Sequence, residues 1–149
     1  MSRALAAAFL LATAGPAAAL SCLRPDVARA FQTADAAEAT YAVLLGSIFF
    51  ETPVTGAGRY RAHADGRLLG PDGFAQPYTG PVTLDVTCAT GICGDPGKSG
   101  SRAIAFLRVT DGGPTLDLGP CPEWLFLSPD ADQVATLGDC FTGGACTPD

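Results

Sequence analysis

The stretch Ala103-Ile104-Ala105-Phe106-Leu107-Arg108-Val109 is followed by Asp111-Gly112-Gly113 and then by Thr115-Leu116-Asp117-Leu118. A glycine-bearing turn between two runs of apolar and β-branched residues is the signature of a hairpin, so this segment predicts two strands joined by a tight turn. Upstream, residues 79–87 alternate, with Val82, Leu84 and Val86 on one side and Thr83, Asp85 and Thr87 on the other. Period-two alternation predicts a half-exposed strand. Residues 41–50 form a run of Val, Leu, Ile and aromatics interrupted only by Gly46 and Ser47. That run predicts a strand buried on much of both faces, with Gly46 at a bend. A mainly β chain with a meander is implied.

Between these strands, residues 52–78 carry Pro53, Gly56, Gly58, Gly66, Gly70, Pro71, Gly73 and Pro77. Such punctuation predicts short strands separated by turns, with only weak alternation over residues 59–63. Two helices flank the β region. Pro25 suits a first helical turn, and Val27, Ala30, Phe31 and Ala34 recur at helical spacing over about ten residues. Near the C-terminus, Ser128 reads as an N-cap before Pro129, Val134 and Leu137 make a short apolar stripe, and Gly138 reads as the stop.

The first 21 residues read as a signal peptide. Arg3 supplies the positive start, residues 4–14 are mostly apolar, Gly15-Pro16 breaks the run, and Ala17-Ala18-Ala19 supplies small residues for cleavage after Ala19, with cleavage after Ser21 as the alternative. The apolar core is shorter than the roughly 20 residues that span a bilayer. The expectation is a periplasmic or secreted protein whose residues 22–149 form a single domain. Ala19-Leu20-Ser21-Cys22 also admits a lipoprotein reading, in which Cys22 carries lipid and tethers the domain to a membrane. A disulfide role for Cys22 is preferred, because Ala19 is small for such a motif and the tether to Pro25 would be short.

With Arg3 removed, eight Lys and Arg face fifteen Asp and Glu, a charge of −7. A surface of that sign repels nucleic acid and anionic lipid unless it carries a local basic patch, and no run of basic residues stands in the sequence. No nucleic acid, no membrane beyond a lipidated Cys22, and a monomer are expected.

Cys22, Cys88, Cys93, Cys121, Cys140 and Cys146 all follow the leader. An even count in an oxidising compartment argues for three bridges, and six cysteines allow fifteen connectivities. Cys88 with Cys93 and Cys140 with Cys146 are close in sequence and bracket glycines, which leaves Cys22 and Cys121 as the long-range pair. A zinc reading of Cys88 and Cys93 is weak, because the lone histidine, His63, is remote and exported thiols oxidise.

The chemistry-bearing patterns are sparse. Gly94-Asp95-Pro96-Gly97-Lys98-Ser99 resembles a phosphate loop in composition but has Ile92 where the first glycine should stand, so it reads as a strand-connecting loop. His63 falls in the most irregular region and reads as an exposed loop side chain; Asp65 could orient it, but no serine partner is identified. Asp130 and Asp132 read as favourable charge at a helix N-terminus, and Glu51 has no assigned role. No catalytic residue, metal ligand or cofactor is assigned. In Pro120-Cys121-Pro122-Glu123-Trp124-Leu125-Phe126, Trp124 and Phe126 either fill the core or, with Cys22, offer a contact to a partner.

With those elements in order, the chain resembles the netrin-like domain family, whose secreted members include the tissue inhibitors of metalloproteinases. The likeness lies in Cys22 with Pro25 and the Ala30-Phe31 to Asp35 helix, the strand from Tyr41 to Gly46, Cys93-Gly94 followed by Gly100 and Ala105-Phe106-Leu107, and Leu116 to Cys121. The resemblance implies a small five-stranded OB-like barrel with one N-terminal and one C-terminal helix. In the metalloproteinase inhibitors, the amino group and carbonyl of an N-terminal cysteine chelate the protease zinc, within a Cys-x-Cys start. Cys22 matches the first cysteine, Arg24 stands in place of the second, and Cys22 becomes N-terminal only if cleavage follows Ser21. The expected function is an exported, non-catalytic interaction or adaptor domain with an unknown protein partner; the alternatives are a metalloprotease inhibitor acting through Cys22, and a small hydrolase or ligand-binding barrel.

Overall fold

The computed structural model describes residues 21–148, so residues 1–20 of the expected leader, with the expected cleavage after Ala19, lie outside the described residues. Helix α1 (Val27–Asp35) leads into β1 (Tyr41–Phe49), β2 (Gly58–Gly70) and β3 (Gly73–Val86). A small clip of β4 (Cys88–Ala89) and β5 (Ile92–Cys93) follows, then β6 (Arg102–Thr110), β7 (Gly113–Leu118), β8 (Leu125–Leu127) and α2 (Ala131–Phe141). Five strands run β1-β2-β3-β7-β6, and β6 pairs back onto β1 to close the ring, with β8 added to β6. This is a five-stranded OB-like barrel with a helix from each end of the chain and three disulfides.

A plain meander would place β6 beside β3. Instead the β6–β7 hairpin is turned over, so that β7 lies parallel to β3 at Thr83–Val86 and β6 lies antiparallel to β1. Closure by that parallel pair leaves fewer edges open to other chains than an open meander would. It also explains why residues 103–107 are apolar without alternation: all five are buried. Ala103, Ala105 and Leu107 point into the barrel with Leu44, Leu84 and Leu116. Ile104 and Phe106 point outward into a second core, with Val27 and Ala30 of α1 and Leu137 of α2.

Where short, broken strands were expected, β2 and β3 are a long hairpin of 13 and 14 residues. The glycines and prolines are accommodated by position. Gly66 of β2 pairs with Gly46 of β1, and a Cβ on Gly66 would stand 2.6 Å from the Gly46 Cα, so the two strands meet at a spot where only glycine fits. Gly46 thus marks a close approach within a continuous strand. Pro77 and Pro81 lie on the part of β3 that has β2 on one side only, where a residue lacking an N–H costs the ladder least.

Both helix starts are displaced from expectation. Asp26 caps α1, its carboxylate accepting from the Arg29 N–H at 2.7 Å, and Pro25 lies one residue outside. Asp130, not Ser128, caps α2 and forms a capping box with Gln133. An aspartate cap outcompetes because its carboxylate also meets the positive end of the helix. The helix continues through Gly138 to Phe141, since Leu137 and Cys140 are both buried and hold the last turn against the barrel. Gly143, with φ of 78°, takes the left-handed position beyond the end.

Candidate functional site

The outer surface of the barrel has two unlike halves. Val43, Leu69, Ile104 and Phe106 lie under the helices. The other half is open, and β2 crosses it. Along β2, Tyr60, Ala62, Ala64 and Leu68 turn toward the barrel core, which sends Arg59, Arg61, His63, Asp65 and Arg67 outward, and all five are exposed. His63 is therefore a strand residue and not a loop residue, and its direction follows from the inward packing of Ala62 and Ala64.

Strand register fixes the neighbours of this row. Asp85 lies opposite Arg59, Thr83 opposite Arg61, Pro81 opposite His63 and Thr79 opposite Asp65 on the β3 side. On the β1 side Phe49 lies opposite His63 and Ser47 opposite Asp65, and Ser47 in turn pairs with Arg102 of β6. Arg67 donates to the Ala75 carbonyl at 3.3 Å. Among the described residues Arg59, Arg61 and Arg102 are in no ion pair. The acidic chain thus has a local basic row after all. The signal lay in the alternation Arg59, Arg61, His63, which is weak as a strand pattern because its inward residues include alanine and glycine.

Phe49, the last residue of β1, is 46% exposed beside the middle of the row, with its ring set against Gly100. The Gly100 N–H donates to the Ile48 carbonyl at 2.8 Å, and the Ser99 hydroxyl accepts from the Phe50 N–H at 2.8 Å, tying the loop before β6 to the end of β1. The glycine-rich string 94–99 is that strand-connecting loop. Asp95 folds it locally by accepting from the Gly97 N–H at 2.8 Å.

The remaining residues singled out in the sequence lie elsewhere. Cys22 is bonded to Cys121, Cys88 to Cys93 and Cys140 to Cys146, the pairing expected from the sequence; the first of these bonds and a lipid on the Cys22 sulfur are mutually exclusive. Trp124 is half-buried, stacked on Tyr41 with ring centroids 4.8 Å apart and tilted against Phe106. Phe126 is 5% exposed within the second core, which removes it as a partner contact: β8 pairs with β6 and turns that side chain under the helices. A pocket of about 340 Å³ beside Cys22 is lined by Leu23, Arg24, Asp26, Thr33, Glu123 and Trp124. Asp130 and Asp132 sit at the N-terminus of α2, as their charge favours. Glu51 is exposed and makes no hydrogen bond or ion pair among the described residues.

Arg108 and Asp117, on the paired strands β6 and β7, form a two-pronged ion pair with both N···O distances 2.7 Å. The hydrogen bond to Asp117 holds the Arg108 guanidinium further above its already high pKa. Tyr41 has its phenol pKa raised, first by burial and then by the Asp117 charge, with Arg108 opposing. No protein-family model, curated protein or solved structure matches this chain.

Proposed function

We propose that this chain is an exported, non-catalytic interaction domain that binds through the open half of its barrel, either in the periplasm or outside the cell. The observation that carries the reading is the contrast between the two outer halves: one is sealed by α1 and α2, while the other presents Arg59, Arg61, His63 and Arg67 to solvent. Like charges in one row cost stability by mutual repulsion, so their placement on the one uncovered face is better explained by a ligand than by folding. Three disulfides fit an oxidising compartment. No helix among the described residues is long and apolar enough to cross a membrane.

The resemblance to the netrin-like family supports a second reading, inhibition of a metalloprotease. Its specific support is the exposed Cys22, bonded to Cys121 immediately before α1, which would hold a new N-terminus rigid beside the Trp124 pocket. Intact mass and N-terminal sequence of the exported protein separate the cases. A start at Leu20 with a gain of six protons on reduction supports the interaction domain and rules out cysteine chelation. A start at Cys22, together with loss of activity in a panel of zinc proteases, supports inhibition. A start at Met1 with six free thiols overturns export.

A further inference from the structure

The β2 row is one strand wide. Alternate residues on a strand are about 6.8 Å apart, so Arg59 to Arg67 spans about 27 Å of surface. A membrane meets a protein over a broad patch, and this row is narrow, bounded by Asp85 opposite Arg59 and interrupted by Asp65. Such a shape suits a linear molecule with anionic groups spaced along it. A peptide of that kind adding as a strand to the free edge of β3 would meet Pro77 and Pro81, which have no N–H to offer there. The exposed ring of Phe49, opposite His63, adds a flat apolar surface beside the middle of the row, of the kind that the C–H face of a sugar ring covers. Guanidinium groups match carboxylates two-pronged, which ammonium groups do not.

Building on the interaction-domain reading, we infer that the open face binds a linear acidic polysaccharide, with Arg59 and Arg61 holding carboxylates at one end of the row, Arg67 holding another about 20 Å further along, and Phe49 packing against a sugar ring between them. Arg102 stands apart from the row, two strands away across Ser47 from Asp65.

The test is calorimetric titration of the full, disulfide-intact protein with polygalacturonate at low and moderate salt, with neutral dextran as control. The expected result is salt-sensitive binding of polygalacturonate alone. Replacing Arg59, Arg61 and Arg67 together by glutamine weakens it at least about tenfold, since each removes a charge-assisted pair. The variant Arg24→Glu/Ala135→Glu lowers the net charge by the same three units at the helices and keeps affinity within about twofold, because screening limits distant charges. Phe49→Ala weakens binding several-fold without altering its salt dependence. Arg61→Gln alone serves if the triple variant melts at a lower temperature. The inference is overturned if polygalacturonate is not bound, if the arginine variants bind as well as the parent, if the helix-side variant loses as much, or if anionic vesicles or single-stranded DNA bind more tightly through the same arginines. Size analysis of the recovered polysaccharide keeps the two levels apart: shortened chains would sink the non-catalytic reading even with the row confirmed as the site, whereas absence of binding sinks only the ligand.

Discussion

Gly46 of β1 and Gly66 of β2 face each other across the barrel wall so closely that a Cβ on Gly46 would stand 2.7 Å from the Gly66 Cα and closer still to the Asp65 carbonyl oxygen. This contact lets β1 pair with β2 on one side and, at Gly46 itself, with Ala103 of β6 on the other. Gly66→Ala forces backbone apart at that junction and is expected to cost more than about 2 kcal/mol, a size reserved for backbone or core disruption. Gly70→Ala, with nothing within 4 Å of the new methyl, is expected to stay within about 0.5 kcal/mol. Urea denaturation of the two variants side by side gives the comparison.

The bridges differ in the length of chain they close. Cys22–Cys121 spans a sequence separation of 99, and Cys88–Cys93 one of 5. On the chain-entropy account, losing the first costs about 4.7 kcal/mol and losing the second about 2. Paired alanine replacements, each measured by denaturant midpoint, should preserve that order. Equal losses would show that strain or residual denatured-state structure, and not loop closure, sets their contributions.

The Arg108–Asp117 pair is about one-third exposed on both side chains, so solvent screens much of its attraction. Asp117→Asn is expected to cost about 1 kcal/mol, near the upper end for a surface pair because the contact is two-pronged. A double-mutant cycle with Arg108→Gln should return a coupling energy of that order, smaller at high salt.

Tyr41 introduces a dependence on alkaline pH. Its folded pKa lies above the ordinary value of 10.0, so the folded state holds the phenolic proton more tightly than the unfolded state does. That contribution to stability is fully present below pH 10 and is lost as pH rises through the folded value. Tyr41→Phe should therefore flatten part of the fall in melting temperature above pH 10. The Tyr78 pKa is raised by burial in the same direction, so the double variant should flatten it further.

Much of the barrel is legible locally. Strands β1, β6 and β7 show as apolar runs and a glycine turn, since burial on a sheet face selects residue type directly. The β2–β3 hairpin is not, because its glycines and prolines are breakers by local rule and become admissible only where Gly66 meets Gly46 or where Pro77 and Pro81 line an unpaired edge. The basic row was hidden for a related reason. Arg61 and Arg67 are separated in the sequence by the inward-facing Ala62, Ala64 and Gly66, whose small size weakens the strand pattern and is in fact what a crowded barrel interior admits.

Residue type and spacing are enough to establish a mainly β chain, a flanking pair of helices, three candidate cystine pairs and an acidic surface. Each of these depends on interactions within a few residues or on composition. The parallel pairing of β7 with β3, the burial of Phe126 under the helices, and the gathering of arginines on one uncovered face depend on which strands meet across more than twenty residues of chain. Those outcomes were settled by closure of the barrel, because only a closed ring decides which side of each strand faces the core, which lies beneath a helix and which remains in water.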